Sequence, residues 1–180
     1  YGTDKSVYNK SSKHQHSYTP IYNILLNHFK DKNINIAELG VAQSASLRMF
    51  REYFKNANLY IFDNNNYLIE ESKKFQLNKV SYFELDVENK TDIKNLFEKN
   101  NIFYDLIIDD TSHLFKHQIN IIEETHKFLN KNGLLIIEDI FVKKKNYREN
   151  LYYEKLKHLK NEFSEIFFCK CDHKYNYSGF

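Results

Sequence analysis

Ile107-Ile108-Asp109-Asp110-Thr111-Ser112-His113 places two carboxylates and an imidazole within five residues. Ile136-Ile137-Glu138-Asp139-Ile140 offers a second acidic pair. If both runs are strands of one parallel sheet, their ends can be neighbours. Three or four of Asp109, Asp110, Glu138 and Asp139 would then converge, and carboxylates meeting without a cation repel and raise each other's pKa. A hard divalent ion removes that conflict, and an all-oxygen ligand set favours Mg²⁺, Mn²⁺ or Ca²⁺ over zinc. Open positions on the ion could hold substrate hydroxyls and make one of them more acidic. An imidazole titrates near ~6.5, so His113 is suited to take the released proton. His117 lies four residues after His113 and could share a helix face with it. No third nitrogen or sulfur ligand accompanies that pair, so a histidine-based metal site is the weaker reading. For any one of these residues the plain alternative is a helix N-cap or a loop role.

A second constellation runs from Ala37 to Leu47, as Ala-Glu-Leu-Gly-Val-Ala-Gln-Ser-Ala-Ser-Leu. It reads as strand, turn and helix. Gly40 permits close approach of a ligand to the backbone. The helix beginning near Ser44 presents free N–H groups and the positive end of its dipole to a carboxylate. Asp63 closes the next apolar run, where a carboxylate can accept both hydroxyls of a ribose. The further glycines of a dinucleotide fingerprint are absent.

The elements that must position these groups alternate. Strand-like apolar runs occupy Ile34–Val41, Leu59–Asp63, Val80–Val87, Leu106–Asp109, Leu134–Ile140 and Glu165–Cys171. Between them, helical spacing sets Leu47, Phe50 and Phe54 on one face. The same spacing relates Ile93, Leu96 and Phe97, and also Phe115, Ile119 and Ile122. A later stretch, 147–163, carries Leu151, Leu156 and Leu159. Strand–helix–strand alternation predicts an α/β fold with a parallel sheet and right-handed crossovers. Glu38, Asp63, Asp86, Asp109 and Glu138 all fall at strand ends, where ligands of open α/β sheets bind. The first 29 residues show no strand signal; a helix over Ile21–Phe29 is expected to pack on the sheet edge or cover the site.

With 180 residues, one domain is expected over 1–180, with an amino-terminal cap over 1–29 and a core over 33–172. A net charge of +2 and only three arginines give no electrostatic case for nucleic acid. The short basic run Lys143–Lys145 does not change that. The 14 Tyr and 15 Phe sit mostly at core-like spacings rather than beside a basic stripe. No apolar run approaches the length of a membrane span. Cys169 and Cys171, separated by one residue in a strand-like segment, are expected as free thiols of a cytoplasmic protein.

Glu38-Leu39-Gly40, Asp63 at the end of the second run and Asp86 at the end of the third resemble the motifs of class I S-adenosylmethionine-dependent methyltransferases. Ser44 stands where that family usually has a second glycine. Gly2-Thr3-Asp4-Lys5, His16 and Tyr18, Asp-Asp-x-Ser-His at Asp109–His113, and Gly133 followed by Ile-Glu-Asp-Ile narrow the likeness. Together they look like the macrocin and mycinamicin sugar O-methyltransferases, over nearly the whole chain. Thr111 replaces that family's usual glycine.

The resemblance implies a Rossmann-like, doubly wound, mostly parallel sheet with helices on both faces, here short of its last strand. It implies S-adenosylmethionine contacts from Glu38, Gly40, Ser44, Asp63, Asp86 and Asp109. It further implies a Mg²⁺ (or Mn²⁺ or Ca²⁺) site at Asp110, Glu138 and Asp139, with His113 and Asp110 catalytic. The amino-terminal segment would fold back over the site, which makes Lys5, His16, Tyr18 and His117 candidates for substrate contact. The expected activity is methylation of a sugar hydroxyl on a surface polysaccharide, a sugar nucleotide or a natural product. Methylation of nitrogen, a catechol-like phenol or nucleic acid, or a nucleotide-binding module without turnover, are the competing readings. A missing edge strand would invite pairing with a second copy of the chain.

Overall fold

The computed structural model describes residues 3–8, 14–140, 149–171 and 173–175. Gly2 and the Lys143–Lys145 run lie outside them. In chain order the elements are β1 (His14–His16), α1 (Tyr18–Leu26), β2 (Asn35–Leu39), α2 (Ala45–Tyr53), β3 (Asn58–Asp63) and α3 (Asn66–Lys73). Then follow β4 (Val80–Glu84), α4 (Lys90–Asn100), β5 (Tyr104–Asp109), α5 (Phe115–Thr125), β6 (Leu129–Ile137), α6 (Glu149–Leu156) and β7 (His173–Tyr175). Five strands form one sheet in the order β4-β3-β2-β5-β6, and every neighbouring pair is parallel. This is the doubly wound α/β architecture expected from the alternation.

The strands form where apolar residues run continuously, because both faces of a parallel sheet are covered. On one face Ile36, Leu59, Ile61, Leu106 and Ile108 pack with Leu26 of α1 and Leu47 and Phe50 of α2. On the other, Ala37, Leu39, Phe62 and Ile107 pack with Ile93 and Phe97 of α4 and Ile121 of α5. Tyr152 and Leu156 of α6 lie against Ile119 and Ile122 of α5. Asn65 and Asn89 start α3 and α4 by accepting hydrogen bonds from backbone N–H groups two residues on, at 3.1 Å each.

Strand order reverses between β2 and β5, the point where open α/β sheets bind ligands. The ladder continues one residue past the strand ends there. Asp110 N donates to Leu39 O at 2.9 Å, Glu138 N donates to Asp109 O at 2.9 Å, and Gly40 N donates to Phe62 O at 2.7 Å. Gly40, Asp110 and Glu138 are thereby set in one row across the sheet.

Three sequence expectations differ from the structure. Glu165–Cys171 is not a strand. Its apolar residues have no sheet face to cover: Ile166 and Phe167 stay exposed, while Phe168 leaves the alternation to pack on Tyr152 and Tyr153. Conversely, the amino-terminal region does contain a strand. His14–His16 pairs antiparallel with His173–Tyr175 in a separate two-stranded sheet. Three residues reading His-Gln-His carry no apolar alternation, so sequence periodicity is blind to them. The helix expected from Ile21 begins at Tyr18 instead, because the Lys5 carbonyl accepts from both Tyr18 N and Thr19 N at 3.1 Å and caps its first turn.

Candidate functional site

The turn after β2 is wound tightly. Gly40 has φ +95°, and a Cβ there would meet the carbonyl oxygen of Asp110 at 2.2 Å. Only glycine fits that approach. Ala42 (φ 39°) and Ser44 (φ 60°) also adopt left-handed conformations. Ser44 therefore occupies a backbone state that favours glycine, which gives a physical reason for the residue usual at that point of the motif. No acidic side chain lies in the first turn of α2, so its dipole end is free for an anionic group.

Asp63 braces this turn. Its Oδ2 accepts from Val41 N and its Oδ1 from Asn65 N, both at 2.8 Å. Asp86 lies exposed two residues beyond β4 and accepts from Glu88 N at 2.9 Å. Glu38 is 1% exposed, and neither of its oxygens makes a well-formed hydrogen bond. Burial pushes its carboxyl up to about 7, against the opposing pull of the Lys5 charge and the Ser46 hydroxyl. Asp109 is equally buried. Its Oδ1 accepts from the Thr111 amide and hydroxyl at 3.1 and 2.7 Å, while Oδ2 has no partner. Burial raises it to about 6. Thr111, the departure from the family's usual glycine, thus earns a structural role by fixing Asp109.

At the ends of β5 and β6, Asp110, His113 and Asp139 each bring one potential ligand atom within 4.8 Å of the others. His113 and Asp139 both have positive φ (57° and 47°). Strained backbone of this kind clusters at functional sites. His113 Nε2 lies 3.7 Å from Asp139 Oδ2, and His113 Nδ1 is buried without a partner. Two carboxylates so arranged fit a hard divalent ion, with the imidazole beside them placed to act as a base.

Glu138 is not one of that trio. It accepts from Lys5 Nζ at 2.5 Å through Oε2 and from the Tyr22 hydroxyl through Oε1. Lys5 Nζ also donates to Asp110 Oδ2 at 2.5 Å. Burial alone would lower the Lys5 pKa, but Glu138, Asp110 and Glu38 outweigh it and hold the ammonium charged. Burial pushes Glu138 upward, against the pull of Lys5. Gln118 Nε2 donates to the Glu138 carbonyl at 3.0 Å, and Gln118 Oε1 accepts from the Tyr152 hydroxyl at 2.6 Å.

The amino-terminal segment reaches the same cluster through two more residues. The Tyr18 hydroxyl donates to Asp139 Oδ1, and burial raises its pKa, with Asp139 adding to the effect. His16 Nδ1 stands 3.8 Å from Asp139 Oδ1, and its ring stacks on Tyr18 with centroids 4.8 Å apart. His117 is placed differently: its Nδ1 meets the Ser112 hydroxyl at 2.8 Å. Tyr22 and Gln118 hold Glu138 without belonging to any of the sequence motifs. Tyr22 had a usable signal, since it follows Tyr18 by one helical turn and must share its face. A cleft of about 500 Å³ beside α6 is lined by Tyr152, Leu156, Phe163 and Phe168 among others, and by none of the acidic cluster.

No family model matches the chain. Among curated proteins it is 26% identical over 132 residues to the 8-demethyl-8-alpha-L-rhamnosyl tetracenomycin-C 2'-O-methyltransferase of Streptomyces olivaceus, covering 69% of this chain and 33% of that protein. Among solved structures, the MycE methyltransferase of the mycinamycin biosynthetic pathway, in complex with Mg and SAH, matches with a TM-score of 0.59 and 20% identity, over 67% of this chain and 31% of that one. The chain has the class I S-adenosylmethionine-dependent methyltransferase fold. The plantazolicin methyltransferase BpumL, in complex with SAH, shares this methyltransferase fold at a TM-score of 0.58 and 16% identity, over 80% of this chain and 62% of that one. The chain spans about a third of the length of the tetracenomycin enzyme and of MycE. Its sequence resembles a sugar O-methyltransferase. No helix among the described residues is long and apolar enough to cross a membrane.

Proposed function

We propose that this chain is an S-adenosylmethionine-dependent O-methyltransferase that acts, with one divalent cation, on a sugar hydroxyl. The observation that carries the reading is the convergence of Asp110, His113 and Asp139 beside the sheet's switch point. The donor would lie across the β2 turn. Glu38 and Asp109 present buried carboxylates toward it, Gly40 and Ser44 shape the turn, and Asp63 and Asp86 stand at the nucleoside side. S-adenosylmethionine supplies an activated methyl on a sulfonium, so the protein's part is position and a base.

Asp110 and Asp139 would hold the cation, Mg²⁺ or a similar hard ion, with Glu138 behind them. When bound, the ion lowers the pKa of a substrate hydroxyl. His113 Nε2 takes the hydroxyl proton, and Asp139 Oδ2 at 3.7 Å stabilises the resulting imidazolium. The hydroxyl oxygen attacks the methyl carbon in line. The carbon–sulfur bond breaks, and its electron pair stays on sulfur. His16 and Tyr18 form the rim that a sugar would meet, and His117 the more distant side.

The sugar assignment is supported by the rhamnosyl 2'-O-methyltransferase relative and by vicinal hydroxyls being able to chelate a cation. The natural acceptor is a sugar nucleotide, a surface-polysaccharide unit or a glycosylated natural product, methylated in the cytoplasm by a single domain spanning 1–180. Calorimetry with S-adenosylhomocysteine, followed by a methyl-transfer screen over nucleotide sugars with Mg²⁺, tests the reading. Binding without transfer to any sugar, but with transfer to a catechol or an amine, would redirect the substrate assignment. No binding would remove the activity.

A further inference from the structure

We propose that Lys5 is the resident counter-ion of the acidic cluster, a tethered positive charge that keeps Asp110 and Glu138 together and tempers the affinity of the cluster for a divalent cation. The inference rests on the cation reading above and adds a residue whose effect on the ion is opposite to that of a ligand.

Lys5 is 2% exposed, an unusual fate for a lysine, which is almost never fully buried unless paired. Its ammonium sits on Asp110 Oδ2 and Glu138 Oε2, each at 2.5 Å, and Glu38 adds a third carboxylate to its surroundings. Its position is set by the backbone. The Lys5 carbonyl caps α1 through Tyr18 N and Thr19 N, the neighbouring Asp4 carbonyl accepts from His16 N at 2.7 Å, and Lys5 N donates to Thr3 Oγ1 at 3.3 Å. A side chain anchored at both ends in this way is part of the architecture of the site. It has no exposed ammonium left to reach a sugar, so its place as a substrate contact is taken over by a positioning role.

The electrostatic consequence follows directly. Asp110 and Glu138 share the Lys5 ammonium, Glu38 stands in its surroundings, and Asp139 joins Asp110 at the candidate ion site. Lys5 offsets part of this negative charge and leaves the rest to attract a divalent ion. Without the ammonium, the buried Glu138 and the part-buried Asp110 would lose their counter-charge, which is destabilising. An incoming cation would then relieve more repulsion and gain Glu138 as a free ligand. Lys5 therefore stabilises the ion-free cluster and lowers its affinity for the ion in the same act.

Titration of the full chain with Mn²⁺, followed by electron paramagnetic resonance and calorimetry, tests this without any turnover measurement. Lys5→Met is expected to bind Mn²⁺ at least tenfold more tightly than wild type. Its thermal midpoint should fall without metal and recover toward wild type with saturating Mn²⁺. Lys5→Arg, which keeps the charge, should restore affinity to within threefold of wild type. Equal or weaker Mn²⁺ binding by Lys5→Met overturns the proposal while leaving the cation reading intact. Absence of Mn²⁺ binding by every form overturns both. Should Lys5→Met fail to fold, the wild type still decides. The ammonium ¹⁵Nζ resonance of Lys5, assigned by its loss in Lys5→Arg, should be protected from exchange and should shift when Mg²⁺ is added. A rapidly exchanging signal indifferent to Mg²⁺ overturns the proposal as well.

Discussion

Glu38→Gln should make this protein more stable, and by an amount that grows with pH. The carboxyl is fully buried and lacks a well-formed hydrogen bond, and its pKa is raised from 4.5 to about 7. That displacement corresponds to ~3 kcal/mol of preference for the protonated form in the folded chain. Because the folded state holds the proton more tightly than the unfolded chain, stability is full below about 4.5 and is lost as pH rises toward 7. Glutamine cannot ionise, so the variant escapes this loss. The stability difference between variant and wild type should increase by about 2 kcal/mol between pH 5.5 and pH 8. Urea unfolding of both proteins across that range measures it. The slope is the decisive quantity, since a buried amide with imperfect partners adds an offset that does not vary with pH. Asp109 titrates in the same direction, but it is common to both proteins and cancels. A difference that stays flat with pH, or shrinks as pH rises, would refute the reasoning. The same substitution should weaken S-adenosylmethionine binding at least tenfold by calorimetry. The Lys5 charge offsets the burial of Glu38 only in part, and the cationic donor would supply further compensation that glutamine cannot return.

His113→Ala should lower methyl transfer by about 10²-fold or more while S-adenosylhomocysteine affinity stays within threefold; unchanged turnover would remove His113 as the base. Thorough chelation should stop turnover and Mg²⁺ should restore it, whereas full activity after chelation excludes the cation from the reaction. Ser44→Gly should raise stability by about 0.5–1 kcal/mol in urea unfolding, because it relieves a left-handed φ of 60°. A less stable variant would show that the buried Ser44 side chain contributes more than its backbone strain costs.

What the sequence made legible follows from the range of the interactions involved. β2, β5 and β6 announce themselves as continuous apolar runs, because a parallel strand is covered on both faces. The acidic residues that follow them are then placed at the switch point by topology alone. Short-range backbone features also leave a trace: Gly40 is required by the approach of the Asp110 carbonyl. Glu165–Cys171 misled because alternation reports amphipathicity and not the presence of a free sheet edge with which to pair. β1 and β7 left no signal because three residues apiece are too few to show a period.

Lys5 exposes a deeper limit. Convergent carboxylates do require a compensating cation, and from the sequence an external metal ion was the visible solution. The structure contains a second one, an ammonium brought in from 133 positions away from Glu138. The Gly-Thr-Asp-Lys motif points to Lys5 as a substrate contact, but nothing local marks it as a counter-ion, since it lies in a segment without periodicity and reaches the carboxylates only with its carbonyl capping α1. Charge balance in a buried cluster is a property of the assembled sheet and its cap together. The two cations are not exclusive. On the reading proposed above, Lys5 would leave the cluster enough negative charge for one divalent ion, and less than the same carboxylates would present without the ammonium.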